Sequence, residues 1–483
     1  MRVLALPARR LALLSVLIAI GAPCGRAHAQ EQPWLKDRRI GEGIGIRTGD
    51  LELHPGVATE VGYDSNYFQR AGTDAEVVIP TLRFRLTPSL SLATLGPQRS
   101  ASEGGSPTPP EVSFRATGAA TYGELFALSG GPSAVEAARK QRYLSGALGL
   151  KADLRPGRPL GADVLADFRR IAEPSNSPEQ NVAFDRDLVR VGAGVIWRPG
   201  GGVFDWRLGY DLRLNLFEGA QLRDLNNRHQ VLETRGRWRF LPRSALVYDG
   251  EIGEIHYTSP NNLVLKDSRP VRTRIGYQGL VTRRFGLLLL GGWGASFYRP
   301  SYAAPVEDFD SFIGHGELKW FVRPPPELPA DGAPVGLSSV SLGYLRDFTN
   351  SYLTDYYQRD RGYASLSYFL GGVVVLAVDG GLTHVSYPRS YFPTAVDLDP
   401  VDGVMDPIGI RKEAFSEDRV DAQFFGEYRF GDRVGVNATA RYTAALDKAS
   451  GEDDNRIPVT REGRYEDLSF ARFELSLGGR WFL

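Results

Sequence analysis

The chain has 483 residues, of which 57 are Lys or Arg and 57 are Asp or Glu, so its formal net charge is zero. Apolar residues make up 42% and aromatic residues 11%, which is too apolar for a disordered chain, and a nucleic-acid binder would normally carry a basic surplus. The single cysteine excludes a disulfide framework and a cysteine-based zinc site.

The first residues have the pattern of a secretory signal peptide. A basic start is followed by the apolar run 11–20 and by Ala27-His28-Ala29, which predicts cleavage after Ala29. Removal of residues 1–29 takes away four arginines and no acidic residue, so the mature chain has 53 basic and 57 acidic side chains and a net charge of −4. The only cysteine, Cys24, leaves with this segment, and Pro23 before it argues against a lipid attachment site.

Alternation of apolar and polar residues is the main structural signal of the mature chain. From Phe204 to Leu216 every second residue is apolar, which predicts a β-strand with one apolar face and one polar face. Strands of soluble proteins average about 5–6 residues, whereas strands that cross a membrane need about 9–11. The length of the pattern therefore favours a membrane strand, and no mature segment approaches the roughly 20 apolar residues of a membrane-spanning helix.

The same alternation recurs in about 18 segments, and their connections fall into two classes. Short connections follow most even-numbered segments and longer polar ones follow most odd-numbered segments, with 95–110 and 324–335 as exceptions. This asymmetry is typical of a transmembrane barrel with short periplasmic turns and long extracellular loops. We therefore predict an all-β fold, a single antiparallel β-barrel of 16–18 strands over residues 57–483, after a periplasmic segment at 30–56. The best helical candidate is the short segment 133–141.

The end of the chain carries a separate signal. Apolar residues alternate up to the last position, and this resembles the final strand of bacterial outer-membrane proteins, which the barrel-assembly machinery recognises. Such proteins usually end in Phe, whereas here Phe482 is penultimate. The alternative is a soluble β-domain that ends on its last strand. The residues that carry the resemblance are Phe473, Leu475, Leu477, Trp481 and Leu483.

The polar parity of the strands is predicted to line the barrel interior, because lipid requires an apolar outer face. About 18 strands would enclose a porin-sized lumen. Pairing 203–217 with 230–241 is expected to bring Arg213 near Glu233 and Asp211 near Arg235. The arginines there either favour anions or form salt bridges within a hydrated wall. The lumen-facing candidates are Arg207, Asp211, Arg213, Glu233, Arg235, Arg237, Arg239, Glu427 and Arg441.

The aromatic residues form two groups. One group lies on the lipid-facing parity or near strand ends and is expected to form the interfacial girdles, namely Trp197, Trp206, Trp238, Trp293, Trp320, Trp481, Tyr210, Tyr344 and Tyr428. The other group falls in predicted loops, where the rings either stack on sugars or pack against one another. Its members are Tyr352, Tyr356, Tyr357, Tyr387, Tyr391 and Phe392.

No motif predicts catalysis or cofactor binding. The five mature histidines show no HExxH spacing, and neither a Gly-x-Ser-x-Gly elbow nor a phosphate-binding loop occurs. A protease or phospholipase would need histidines at one rim, for which His229 and His256 are the candidates. One acidic segment suits calcium without matching the EF-hand spacing, or else is a solvated loop. Its carboxylates are Asp397, Asp399, Asp402 and Asp406.

The entry to the first strand resembles a known group of proteins. The segment 47–56, followed by Val61-Gly62-Tyr63-Asp64-Ser65-Asn66-Tyr67-Phe68, is similar to porin-like outer-membrane barrels often encoded in exopolysaccharide export loci. The resemblance implies a passage for a secreted polysaccharide or a part of its export machine. The expected partners are outer-membrane lipid, the barrel-assembly machinery, polysaccharide and periplasmic export components, without nucleic acid. The alternative is a structural or anchoring barrel of an envelope machine or adhesion system.

Overall fold

The computed structural model describes residues 45–483 except 71, 73–76, 96–110, 173–184, 259–266, 300–307, 323–337, 352–354, 372, 389, 399–404, 413, 432 and 447–468. The predicted signal peptide lies outside the described residues. The described chain is built almost entirely from strands. They are β1 (Ile46–Thr48), β2 (Leu51–Asp64), β3 (Thr81–Thr94), β4 (Val112–Ala127), β5 (Tyr143–Leu154), β6 (Leu160–Ile171), β7 (Arg186–Trp197), β8 (Phe204–Phe217), β9 (Asn227–Leu241), β10 (Ser244–Tyr257), β11 (Ser268–Leu280), β12 (Phe285–Tyr298), β13 (Phe309–Phe321), β14 (Ser339–Asn350), β15 (Tyr356–Leu370), β16 (Val374–Tyr387), β17 (Ser390–Leu398), β18 (Met405–Lys412), β19 (Phe415–Phe430), β20 (Val434–Ala445) and β21 (Phe470–Phe482).

Eighteen of these strands form one closed antiparallel barrel. Each strand from β2 to β15 pairs with its successor, β16 pairs with β19, and β20 and β21 continue the order. The barrel closes where β21 pairs with β2, from Gly56 opposite Phe482 to Asp64 opposite Glu474. In lipid this closure satisfies the backbone groups that an open sheet edge would leave without partners. The predicted fold class is confirmed, and the strand count is at the upper end of the predicted range.

The outer face of the barrel is apolar. On β8 the side chains of Trp206, Leu208 and Tyr210 are exposed, whereas Asp211 on the other parity is fully buried. All nine aromatic residues predicted for the girdles are exposed on this outer face. A soluble protein rarely exposes so large an apolar surface, and lipid is the environment that covers it. The protein is therefore a β-barrel of the bacterial outer membrane.

Connections of two lengths distinguish the rims of the barrel. The first barrel strand begins and the last one ends at the rim that carries the short turns, such as Pro242-Arg243 between β9 and β10. The two long connections that the sequence predicted for this rim, 95–110 and 324–335, join strands whose ends are at this rim, namely Thr94 of β3, Val112 of β4, Phe321 of β13 and Ser339 of β14. The opposite rim carries most of the long connections. By the usual asymmetry the first is the periplasmic rim and the second the extracellular rim, here called the loop rim.

The helix α1 (Gly131–Lys140) connects β4 to β5 at the loop rim and confirms the helical candidate at 133–141. Its buried face consists of Ala134, Ala137 and Ala138, and Arg139 and Lys140 occupy its last turn, where cations interact favourably with the helix dipole. None of the helices in the described part of the chain is long and apolar enough to cross a membrane.

Two element boundaries differ from those expected. Strand β2 begins at Leu51 rather than near residue 57, and β1 pairs with it, so sheet pairing extends into the segment expected to precede the barrel. Pro55 interrupts the alternation in the sequence, but pairing with β21 starts only at Gly56, so Pro55 lies at the end of that ladder. The expected loop 387–416 also contains a separate two-stranded sheet, β17 with β18.

Candidate functional site: the barrel interior

The interior face of the barrel is formed by the polar parity. On β8 this face carries Asp205, Arg207, Asp211 and Arg213, each one position away from an outward residue. Residues that lie directly opposite each other on paired strands point to the same face of the sheet. The strand register therefore places the polar residues of the neighbouring strands on the interior face as well. Arg207, for example, lies opposite Arg235 on β9. The site is therefore a charged wall assembled from many strands.

One region of this wall has more arginines than carboxylates. We call it the arginine sector, and it is contributed by strands β6 to β9 and the turn before β8. Six arginines there contact four carboxylates of the same strands, and Arg235 Nε also lies 3.7 Å from Asp249 Oδ1 on β10. The members are Arg190, Arg198, Arg207, Arg213, Arg235 and Arg237, with Asp163, Asp205, Asp211 and Glu233.

Asp211 is shared by two arginines of the sector. Its Oδ2 accepts a hydrogen bond from Arg190 Nε at 2.9 Å and another from Arg213 Nη2 at 3.4 Å. The carboxylate itself is fully buried, while about a third of each arginine side chain is exposed to the interior. One carboxylate thus fixes the positions of two guanidinium groups, and part of each arginine side chain stays exposed to the lumen.

Glu233 is shared in the same way. Arg207 and Arg235 both donate to it, the latter from Nη2 at 3.2 Å. Arg207 also donates from Nε and Nη2 to the two oxygens of Asp163, each at 2.8 Å, so it is held between two strands. Arg235 is different, because 61% of its side chain is exposed. It is the most accessible cation of the arginine sector.

The third shared carboxylate lies near the periplasmic rim. Asp205 Oδ2 accepts from Arg198 Nε at 3.2 Å and from Arg237 Nη2 at 3.5 Å. Sharing of this kind leaves a positive surplus along the wall, because each carboxylate offsets one of the two charges that it binds. Four members of the sector were not among the lumen-facing candidates, because the alternation alone does not show which interior residues meet across strands. They are Asp163, Arg190, Arg198 and Asp205.

The expected pairs Arg213–Glu233 and Asp211–Arg235 do not form. Arg213 lies opposite His229, four positions earlier on β9 than Glu233. Strand β8 ends at Phe217 as expected, but β9 begins at Asn227 rather than at residue 230, after a short 3-10 turn, and this shifts the register. The polar residues at the start of β9 look like a loop in the sequence, but they continue the strand at the loop rim.

Three other lumen-facing candidates lie outside the arginine sector. Arg239 donates from Nε to the Gly202 carbonyl at 2.9 Å and so ties a periplasmic turn to the wall. Arg441 donates from Nη2 to Gln423 Oε1 at 2.9 Å. Glu427 is buried and belongs to a network near the closure of the barrel, where Arg429 and Arg480 donate to it.

The closure of the barrel carries a second group of charges, the seam cluster, formed by Asp64, Arg83, Arg472 and Glu474. Arg472 donates to both oxygens of Asp64, with Nη2 to Oδ2 at 2.6 Å, and Arg83 Nη2 donates to Glu474 at 2.9 Å. None of these four side chains is more than 7% exposed. The ring of Tyr67 covers Arg472, with its centroid 5.6 Å from the guanidinium carbon. The two arginines and two carboxylates of the cluster are equal in number and buried, and Arg441 Nη1 lies 3.8 Å from Glu474 Oε1 at its edge.

The helix α1 lies inside the mouth of the barrel at the loop rim. Its alanine face packs in one cluster with Tyr67, Phe68, Leu125 and Tyr143. Leu125 and Tyr143 belong to the interior parity, so the helix covers the inner side of β4 and β5. Gly123 makes this possible, because a Cβ atom there would lie 2.3 Å from the ring of Tyr143.

The tip of the β14–β15 hairpin also turns inward. Strand β14 pairs with β13 only as far as Arg346, opposite Gly314, and then contacts β11 and β12. Its Phe348 stacks on Phe309 with ring centroids 4.2 Å apart and lies over Gly294, where a Cβ atom would be 2.7 Å from the ring. The hairpin tip therefore packs on the interior face of the wall.

Polar contacts fix the tip of this hairpin. Arg272 lies 4.2 Å from the centroid of Phe348 and donates from Nη2 to its carbonyl at 2.8 Å. Asn350 Nδ2 donates to Ser268 Oγ at 2.6 Å. The position of the tip around the barrel is nearly opposite that of α1, with eight strands between β5 and β14 on one side and six between β15 and β4 on the other.

Several aromatic residues expected in loops belong to strands. Tyr356 and Tyr357 lie on β15 and Tyr387 ends β16. Tyr356 packs against Phe309 at 5.0 Å and Tyr357 against Tyr387 at 5.6 Å between ring centroids, so these rings pack with neighbours. Tyr352 and the side chains of residues 391 and 392 lie outside the described part of the structure.

The candidates for other chemistry do not come together. His229 faces the interior and His256 the outer side of the wall, where its Nδ1 is 2.7 Å from Asp267. Asp397 and Asp406 are register partners in β17–β18, whereas residues 399 and 402 lie outside the described residues. Across the described residues, no group of three or more His, Cys, Asp or Glu could hold a metal ion.

The residues of the C-terminal signal lie on the lipid face of the last strand. Their apolar side chains are exposed along β21, and Leu483 follows the strand directly. Recognition of this strand by the barrel-assembly machinery stays a prediction. The members on β21 are Phe473, Leu475, Leu477 and Trp481.

Known proteins resemble the chain in architecture only. No family model matches it, and no curated protein matches it. Similar solved structures include OpdQ of Pseudomonas aeruginosa, with 9% identity, 90% of this chain and 98% of that chain covered, and a TM-score of 0.43. The outer membrane protein OpdK of the same organism has 11% identity, coverages of 89% and 99%, and a TM-score of 0.41. A bacterial polysaccharide outer membrane secretin has 9% identity, coverages of 90% and 99%, and a TM-score of 0.32.

Proposed function

We propose that the protein is a porin-like passage through the outer membrane that favours anions. The observation that carries this proposal is the arginine sector, in which six arginines contact four carboxylates of β6 to β9 and, through Arg235, Asp249 of β10. A wall that served only to hold the barrel together would bury and match its charges, as the seam cluster does. The exposure of Arg235 instead directs positive charge toward the lumen.

Electrostatic focusing supports the anion preference. A cleft lined by a surplus of one charge, with walls of low dielectric constant, raises the local concentration of ions of the opposite sign. Arginine stays protonated at any pH at which the barrel would operate, so the surplus does not titrate away. We expect the preference to weaken as ionic strength rises, because the Debye length is only about 8 Å at 0.15 M salt.

The outer mouth of the passage is narrowed from two sides in this proposal. The helix α1 covers the inner wall at β4 and β5, and the hairpin tip at Phe348 covers it at β11 to β13. Both elements are fixed by packing and hydrogen bonds to the wall rather than projecting loosely from it. The passage would thus select solutes by size at the mouth and by charge along the arginine sector.

For the cargo we propose a secreted polysaccharide, preferentially an acidic one. The support is the resemblance of the first-strand segment to barrels encoded in exopolysaccharide export loci, together with the charge of the arginine sector. Guanidinium groups form paired hydrogen bonds with carboxylates, so the uronic acids of an acidic chain suit a row of arginines. A barrel that anchors an envelope machine and transports nothing is the other outcome of the test below.

Planar-bilayer recording of the purified mature protein tests the proposal. We expect open channels whose reversal potential in a KCl gradient shows chloride to be more permeant than potassium. A charged oligouronate should block the current at a lower concentration than a neutral oligosaccharide of the same length. Absence of open channels would contradict the passage itself, whereas equal block by both sugars would contradict only the acidic cargo.

A further inference from the structure

A basic patch lies on the outer face of the barrel at the loop rim. It belongs to β9, β10 and β11 and the residues that flank them, and we call it the rim patch. On β9 the side chains of Leu232 and Arg228 are on the outer face, and Leu232 is exposed. On β11 the side chain of Arg269 is on the same face and lies opposite Phe297 of β12. The members are Arg228, Glu254, His256, Asp267, Arg269 and Arg299.

The charges of the rim patch are only partly matched. Glu254 Oε1 is 3.6 Å from Arg269 Nη2 and 3.5 Å from Arg299 Nη2, so one carboxylate serves both arginines. Asp267 Oδ2 is 3.2 Å from Arg299 Nη1 and 2.7 Å from His256 Nδ1. The side chains of Arg269 and Arg299 are 67% and 62% exposed. Arg228 lies opposite His256 on the pair β9–β10 and adds a third arginine to this surface.

Three other ion pairs of the described residues on the outer face of this rim each join one arginine to one carboxylate. These pairs leave no surplus of positive charge. The rim patch differs from them, because its Glu254 lies near two arginines. The matched pairs are Arg142 with Glu124 at 2.6 Å, Arg170 with Glu218 at 2.8 Å, and Arg346 with Asp360 at 3.8 Å.

We propose that the rim patch binds the phosphate groups of a lipid in the outer leaflet of the membrane. The planar guanidinium presents paired donors that fit phosphate oxygens, and such charge-assisted hydrogen bonds are the strong ones. A phosphate would supply the negative charge that Glu254 and Asp267 leave unmatched. This proposal concerns the outer face and does not depend on whether the lumen conducts.

The surface below the rim patch favours a lipid over a free anion. Exposed apolar side chains continue the same strands toward the middle of the membrane, among them Leu232, Ile252 and Ile275. Acyl chains packed on these residues would hold a headgroup phosphate at the height of the arginines, where basic side chains attract anionic lipids. A free phosphate would gain nothing from this apolar surface.

Lipid binding to the purified mature protein in detergent micelles tests the proposal. The probes are diphosphorylated lipid A, the same lipid without phosphates, and inorganic phosphate, with retained lipid counted by native mass spectrometry. We expect strong retention of the diphosphorylated form only. The variant R228Q/R269Q/R299Q should weaken its binding roughly a hundredfold, and R269Q alone roughly fivefold, on the basis of the usual contribution of one basic residue near an anionic membrane.

The control variant is R142Q/R170Q, which removes two arginines of matched pairs from the same rim and should leave binding within about twofold. Heat-modifiable migration on gels verifies that each variant is folded. The proposal is overturned if the triple variant binds like the wild type, or if the lipid without phosphates binds equally well. Displacement of the lipid by millimolar inorganic phosphate would also overturn it, since the patch would then be a site for free anions.

Discussion

The seam cluster and the arginine sector are built from the same residue types on the same interior face, but they use charge in opposite ways. At the seam, Arg472 and Asp64 are paired with two hydrogen-bonded oxygens and are buried under Tyr67. In the arginine sector, Arg235 shares its carboxylate and is largely exposed. Both regions look alike in the sequence, where each is an alternation of charged and apolar residues.

The difference shows which charges are structural. A buried ion pair repays its desolvation only when its geometry is good, and removal of one partner leaves an uncompensated charge. An exposed and shared ion pair contributes little to stability, because water screens it. The seam cluster therefore holds the first and last strands together, whereas the arginine sector is available for contact with a solute.

The largest effect is expected from D64A at the seam. Removal of this carboxylate leaves Arg472 buried without its main partner, and breaking a buried pair costs about 3–5 kcal/mol. The matched variant D249A removes the partner of Arg274 from a partly exposed part of the interior and should cost less than about 1 kcal/mol. Urea unfolding in lipid vesicles measures both free energies. Equal losses of unfolding free energy in D64A and D249A would show that ion pairs at the seam do not stabilise the barrel more than ion pairs elsewhere on the interior wall.

F348A is expected to lose less stability than D64A, but to widen the opening of the barrel at the loop rim. The ring is buried against Phe309 and Arg272, and burial of a Phe side chain contributes about 1.5–3 kcal/mol. Without it the hairpin tip should detach from the interior wall, and the mean single-channel conductance should rise. The control is F312A, which removes an exposed ring from the outer face. If F348A leaves conductance unchanged, the hairpin tip does not limit the passage.

The arginine sector should respond in selectivity rather than in stability. We expect R235Q to change the free energy of unfolding by less than about 1 kcal/mol, because 61% of the Arg235 side chain is exposed and Arg207 still pairs with Glu233. The ratio of chloride to potassium permeability should fall, as measured by the reversal potential in a KCl gradient. R170Q removes the same charge from the outer face and should leave the ratio unchanged. A wild-type ratio in R235Q would mean that the sector does not control selectivity.

The alternation of apolar and polar residues predicted the strands of the barrel, because a period of two residues is visible within each strand on its own. It also identified Arg207 and Arg235 as interior residues, since parity alone decides which face a side chain is on. It did not predict that Arg207 contacts Asp163, because that contact depends on the register of strands that are far apart in the chain.

The inward hairpin tip and the position of α1 were also not predictable from alternation. Gly294 and Gly123 leave the space that Phe348 and Tyr143 occupy, but in the sequence these glycines look like any others in a glycine-rich chain. A contact of this kind combines a small residue on one strand with a large one from a distant element. Only the closed barrel brings the two together.

The smallest effect is expected from removal of the hairpin β17–β18. These strands pair only with each other, in a sheet separate from the barrel, and the flanking β16 and β19 pair directly over their own lengths. Replacement of residues 390–412 by a short Gly-Ser linker should therefore change the free energy of unfolding by less than about 0.5 kcal/mol, because closure entropy varies only slowly with loop length. Urea unfolding and heat-modifiable migration measure this. A loss comparable to that of D64A would place the hairpin, and not only the seam cluster, among the elements that stabilise the barrel.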